Sequence, residues 1–255
     1  MSDSKGRLHY KTFLPDLIIE VTSVCDRACP GCYAPNFVSG KSRAEINSGN
    51  PSLFLTEEQL QKALTALTSN EKLSTPVLAA FRGGEPTRSA ILPILLSVAK
   101  QFGCDTVIET HGRWIIDQRP EEITFSEVLF DRIRETNTLV KLSFDEMHGL
   151  STTSLQKITM ILDLNNIEWN IAITEPSFDR FLISRKACNF AKDHQIIFQE
   201  KAFSKDKLVQ PRFGVIHTNG ERTYALSNRF LNKHEVSKQI ANVASSTVLS
   251  REGVL

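Results

Sequence analysis

Apolar and polar residues fall along this chain in short blocks that alternate between strand-like runs and helix-like spacing. Six apolar or β-branched runs read as strands over residues 16–22, 77–81, 106–110, 139–144, 169–174 and 196–199. Between them lie amphipathic segments. One begins at Thr56, an N-cap with Glu58 behind it, and places Leu60, Leu64 and Leu67 on one face. Others cover about 89–102, 125–135, 153–164 and 179–193. Strands that alternate with helices predict a parallel sheet with helices packed outside it. From about Ala202 the pattern changes: Phe213 to Leu226 reads as two strands around Asn219-Gly220, a strong hairpin signal, and 233–255 is a mixed helical and polar tail. Residues 36–51 form a polar stretch long enough to suggest a lid.

The chain has 255 residues, enough for one large α/β domain, and a net charge of +1. That balance gives no electrostatic case for binding nucleic acid or an anionic membrane. No apolar run is long enough to span a bilayer, and the polar start, Met1 to Gly6, is no secretory signal.

Chemistry is concentrated where the first strand ends. Cys25-Asp26-Arg27-Ala28-Cys29-Pro30-Gly31-Cys32 places three of the five cysteines in eight residues, as CxxxCxxC. Three thiolates on one loop can hold three irons of a 4Fe-4S cluster and leave the fourth open to a small molecule. A CxxC pair also suits a zinc half-site or a redox dithiol, but His9 and His111 are far away and no second CxxC follows. An odd cysteine count argues against a disulfide framework, and free thiolates suit a reducing cytoplasm. After the second strand comes Arg82-Gly83-Gly84-Glu85-Pro86-Thr87. The glycines permit close backbone approach, the carboxylate can pair with an ammonium, and the proline fixes the next turn. In isolation this would read as a Gly-Gly turn with a solvated Glu.

Together the two motifs resemble the radical S-adenosylmethionine (radical SAM) superfamily. The resemblance implies a partial (β/α)6 TIM-like barrel over 1–201, followed by a hairpin and helical extension over 202–255 with the hairpin around 212–226. It implies one 4Fe-4S cluster on Cys25, Cys29 and Cys32, and S-adenosylmethionine (SAM) held at its amine by Gly83, Gly84, Glu85 and Pro86. Gly31 stands where the family usually has an aromatic, with Tyr33 just after; Gly31 can still offer a backbone contact.

In parallel barrels the chemistry gathers at the carboxyl ends of the strands. There the third strand gives Thr110-His111-Gly112, where the family often has Thr-Asn-Gly. His111 is then a SAM or substrate contact, or a turn residue bonded to backbone. The fourth gives Ser143-Phe144-Asp145, resembling the family's ribose-reaching Ser-x-Asp, with His148 a candidate substrate contact. The fifth gives Glu175, suited to ribose or substrate. Trp114 reads as core before cavity wall, and Cys104 and Cys188 as inert core thiols. No further cysteine set exists for a second cluster. The implied activity is reductive cleavage of SAM to a 5′-deoxyadenosyl radical that takes hydrogen from a small metabolite or a peptide, served by an external donor such as flavodoxin or ferredoxin. The alternative is an activating enzyme that installs a glycyl radical on a partner protein.

Overall fold

The β-branched run Leu-Ile-Ile-Glu-Val-Thr forms strand β1 (Leu17–Thr22) in a computed structural model that describes residues 15–29, 36–38, 40–70, 77–144, 148–175, 198–202 and 213–223. Two short strands, β2 (Val24–Cys25) and β3 (Asn36–Phe37), precede helices α1 (Arg43–Asn47) and α2 (Glu57–Asn70). Then come β4 (Leu78–Gly83), α3 (Leu92–Gln101), β5 (Asp105–Thr110), α4 (Pro120–Thr136), β6 (Leu139–Ser143) and α5 (Thr152–Leu164). Strands β7 (Trp169–Glu175) and β8 (Phe198–Ala202) follow, and a hairpin of β9 (Val215–Ile216) and β10 (Arg222–Thr223) ends the described chain. The helix expected over 179–193 lies outside the described residues.

Six strands, β1, β4, β5, β6, β7 and β8, pair in parallel and in chain order, as a partial (β/α)6 barrel requires. The hairpin continues this sheet: β9 lies parallel to β1 on the side opposite β4, and β10 pairs antiparallel to β9. Its tip turns at Gly220, whose φ of +80° favours glycine.

Strand alternation sorts side chains into two layers. Leu17, Ile19 and Val21 of β1 and Ala79 and Phe81 of β4 pack against helix residues such as Leu60, Leu64, Leu95 and Leu96, in one continuous core. The opposite face carries Ile18 and Glu20 on β1, Ala80 and Arg82 on β4, Val107 and Glu109 on β5, and Lys141 on β6. Along each of β1, β4 and β5 the small or apolar residue comes first and the charged one lies nearer the carboxyl end.

Helix starts depart from the sequence reading where capping and first-turn residues outrank apolar periodicity. Helix α2 begins with a reciprocal capping box in which Gln59, not Glu58, pairs with Thr56: Gln59 N–H donates to Thr56 Oγ1 at 3.2 Å and Thr56 N–H to Gln59 Oε1 at 2.8 Å. Helix α4 starts at Pro120 rather than 125, because Pro120, Glu121 and Glu122 suit a first helical turn.

The stretch 36–51, expected as a polar lid, contains the capped helix α1. Ser42 and Glu45 form its box at 3.2 and 2.7 Å. Arg43 anchors it. Its guanidinium lies 3.4 Å from the centroid of the Phe125 ring, its Nε donates to Thr87 O at 2.9 Å, and its Nη2 meets Glu122 Oε2 at 2.6 Å. Burial lowers the guanidinium to about 10 against the pull of Glu122, so the side chain is held at a desolvation cost.

Glu122→Ala should therefore destabilise the fold by about 3–5 kcal/mol, because it strands buried cations. Urea unfolding of the iron-free protein measures this, and a loss under about 1 kcal/mol, the range of exposed pairs, would remove α4 from the account.

Candidate active site at the carboxyl ends of the strands

The cysteine loop and the Gly-Gly segment are joined by backbone. Gly84 N–H donates to Thr22 O at 2.6 Å and Glu85 N–H donates to Val24 O at 2.8 Å. A Cβ on Gly83 would sit 2.1 Å from Thr22 O, and one on Gly84 would sit 2.0 Å from Val24 O. Gly83 also has a φ of +143°. Both glycines are thus required by the seam between β4 and the segment leading into Cys25.

Glu85 ties a third strand to this seam. It is 2 % exposed. Its Oε1 accepts from Thr87 N–H at 3.2 Å, Thr87 Oγ1 at 2.7 Å and Thr110 Oγ1 at 2.7 Å, and its Oε2 accepts from His111 N–H at 3.0 Å. The carboxylate so joins β4, β5 and the turn that Pro86 opens.

His111 extends the arrangement toward the cysteines. Its Nδ1 accepts from Arg113 N–H at 3.1 Å, which leaves the ring proton on Nε2. That nitrogen lies 2.9 Å from Asp26 Oδ1 and 3.2 Å from Glu85 Oε2. Arg88 caps Asp26 from the other side and reaches Glu122 at 3.3 Å. Burial alone would raise the Asp26 carboxyl, but the hydrogen bonds of His111 and Arg88 and the Arg88 charge outweigh it and hold the group well below the usual carboxylate range.

Ligand atoms of Cys25, Asp26 and His111 all lie within 4.8 Å of one another. With both nitrogens of His111 engaged, the imidazole has no lone pair to give an ion. Cys25 contributes the soft donor of this group, sulfur, as an iron–sulfur cluster demands. Cys25 is buried and Cys29 half-buried, and Arg27 N–H approaches Cys25 Sγ at 3.4 Å. The described part of the loop therefore fits a cluster. Gly31, Cys32 and Tyr33 lie outside the described residues, as does Asp145.

The other expected positions occupy strand ends. Ser143 closes β6, half-buried, and Glu175 closes β7. His148 begins a turn whose Gly149 would place a Cβ 3.0 Å from Arg27 Nη2, so this turn abuts the cysteine loop. Trp114 belongs to the core, its ring 5.2 Å from that of Phe130. Cys104 is buried, and that burial pushes its thiol up to about 11, as an inert core cysteine requires. Cys188 is outside the described residues.

The sequence reading did not single out the charged row on the interior face. Lys141 Nζ donates to Glu109 Oε1 at 3.1 Å, Arg82 lies 3.9 Å from Glu109, and His217 Nδ1 is 2.8 Å from Glu20 Oε2. Its signal was available: a charge in mid-strand among aliphatics, as in Leu-Val-Lys-Leu-Ser.

No family model matches the chain, and no curated protein matches it. Solved structures do. Native anSMEcpe with bound AdoMet superposes over 78 % of this chain and 55 % of its own, with a TM-score of 0.51 and 18 % identity. Native anSMEcpe with bound AdoMet and Cp18Cys peptide covers the same shares, with a TM-score of 0.50 and 17 % identity. Streptococcus suis SuiB bound to precursor peptide SuiA superposes over 92 % of this chain and 46 % of its own, with a TM-score of 0.50 and 17 % identity. The chain spans about half the length of these structures. The likeness is one of fold: a parallel β/α sheet shared with these AdoMet-bound and peptide-bound structures. Among the described residues no helix is long and apolar enough to cross a membrane.

Two outcomes follow from the geometry. Gly84→Ala should force the seam apart and leave the protein with less than half the iron of the parent after anaerobic reconstitution; unchanged iron would refute the close approach. Asp26 ionises more readily folded than unfolded, so its stabilisation is full above about pH 5 and is lost as the pH falls through the unfolded value near 4 toward the folded one. Urea midpoints of the iron-free protein should fall on that acid limb, and Asp26→Asn should flatten it.

Proposed function

We propose that the chain is a radical SAM enzyme that holds one 4Fe-4S cluster on Cys25, Cys29 and Cys32 and acts on a peptide. The observation that carries this reading is the backbone seam between the cysteine loop and Gly83-Gly84-Glu85, set at the strand ends of a sheet shared with AdoMet-bound structures. Once bound and reduced by an external donor, the cluster would pass one electron to SAM, giving methionine and a 5′-deoxyadenosyl radical that would take hydrogen from substrate.

The chain's own residues have four tasks in this reading. Gly83, Gly84 and Pro86 hold the edge that meets the methionine amine, with Glu85 fixing that edge against β5. Gly31 and Tyr33 border the adenine. His111, Ser143, Asp145 and Glu175 serve the nucleotide or the substrate from successive strand ends. Residues 1–201 form the core, and 202–255 form an extension whose hairpin lengthens the sheet. An external flavodoxin or ferredoxin supplies the electron, and the cytoplasm keeps the thiolates reduced.

Peptide is favoured over small metabolite on two grounds. The anSMEcpe and SuiB structures hold peptides. Two acceptor atoms on the charged interior face, Glu20 Oε1 and Asn170 Oδ1, are buried without a hydrogen-bond donor among the described residues, and a peptide brings N–H donors.

The test is anaerobic reconstitution followed by dithionite. The protein should take up about four irons, the content of one 4Fe-4S cluster, and convert SAM to methionine and 5′-deoxyadenosine. Ala at Cys25, Cys29 or Cys32 should abolish both. Zinc in place of iron, or cleavage that persists in the triple-Ala variant, would overturn the assignment.

A further inference from the structure

We infer that Asp26 and Arg88 are a charge pair that sets the reduction potential of the group held by the cysteine loop, an inference that rests on the cluster reading above. An Asp26 carboxylate oxygen lies within 4.8 Å of the Cys25 sulfur. The Asp26 side chain is 17 % exposed and that of Arg88 9 %, so water screens neither charge well. The two are joined directly, and Arg88 also reaches Glu122 at 3.3 Å. Burial disfavours the Arg88 guanidinium, yet its bond to Asp26 and the nearby carboxylates raise it above its ordinary value, so the cation persists.

A cluster gains one negative charge when reduced. A fixed anion beside it opposes that step and a fixed cation favours it. As a pair the two act against each other. Neutralising either one leaves the other unbalanced, and the two single changes therefore act with opposite sign. In this reading the cysteines alone ligate the group, and Arg88 acts on it through Asp26; both Asp26 and Arg88 are positioning residues.

The chain behind the pair makes it rigid. Arg88 is clamped by Glu122, Glu122 by Arg43 at 2.6 Å, and Arg43 Nε by Thr87 O at 2.9 Å. His111 holds the second Asp26 oxygen at 2.9 Å. The carboxylate cannot swing away to solvent when its charge is needed.

The experiment is a redox titration of the reconstituted full chain, followed by electron paramagnetic resonance. Asp26→Asn should shift the midpoint potential positive, Arg88→Gln should shift it negative, and Asp26→Asn/Arg88→Gln should return it close to the parent. Shifts of the same sign, or no shift in either variant, would overturn the pair. A merely structural role predicts lost iron in both variants and no opposition of sign. Should a single variant fail to load iron, the double variant decides: restored loading with a near-parent potential supports the pair, and continued failure overturns it. A parent protein that takes up no iron refutes the cluster reading instead, and is read first.

Discussion

Two backbone hydrogen bonds, from Gly84 to Thr22 and from Glu85 to Val24, govern the geometry of everything around the cysteines. They bring the end of β4 so close to the segment after β1 that no side chain fits between. Parallel strands ordinarily diverge into separate loops at their carboxyl ends. Here the loops remain fused for several residues. Cys25 is thereby placed on a short strand, β2, that pairs with β3 and is tied to the end of β4 through Val24 O, so the loop carrying Asp26 and Arg27 starts from a fixed point.

Charge is organised around that seam in two different ways. At the strand ends, Glu85 is saturated by neutral donors, the hydroxyls and amides of Thr87, Thr110 and His111. A carboxylate held like this acts as a rivet, since its charge is spread over short bonds that water cannot replace. Outside the seam, Asp26, Arg88, Glu122 and Arg43 alternate in sign from the cysteine loop to α4 and α1. Each buried ion costs desolvation, and the chain is stable only as a whole. Helix α1, which follows the cysteine loop in sequence, is thus bound to the same framework that holds the loop's other end.

How much of this was legible depended on sequence separation. The cysteine motif, the Gly-Gly-Glu-Pro segment and the Asn219-Gly220 turn are local, and their residue types declare their geometry. The six parallel strands were legible because β-branched runs alternate with leucine-spaced helices. The capping box Ser42–Glu45 was also legible, yet the polar composition around it read as a loop. What no local pattern reveals is the pairing of Asp26 with Arg88, 62 residues apart, or of Arg43 with Thr87, 44 apart. Arg88 in particular resembles any basic residue after a turn. Only the three-dimensional closure of the seam brings it over the cysteine loop. The glycines were legible as close-approach residues, but the partner of that approach is protein backbone, which the sequence did not disclose.

The interior face follows the same logic with one difference. Glu20 and Arg82 are register partners across β1 and β4, and Glu109 and Lys141 across β5 and β6. Charges placed side by side on neighbouring strands, deep among aliphatic residues, balance one another and so keep the barrel interior near neutral. An apolar layer of Ile18, Ala80, Val107 and Val215 lies beneath them, farther from the strand ends. A barrel meant only to be packed would fill both layers with branched aliphatics. This one keeps polar groups in the upper layer, and the balance is incomplete, because Glu20 Oε1 and Asn170 Oδ1 accept no hydrogen bond from the described residues. Buried acceptors without donors are costly unless something that carries donors enters. The interior is thus polar where the strands open toward the cysteine loop and apolar farther from the strand ends.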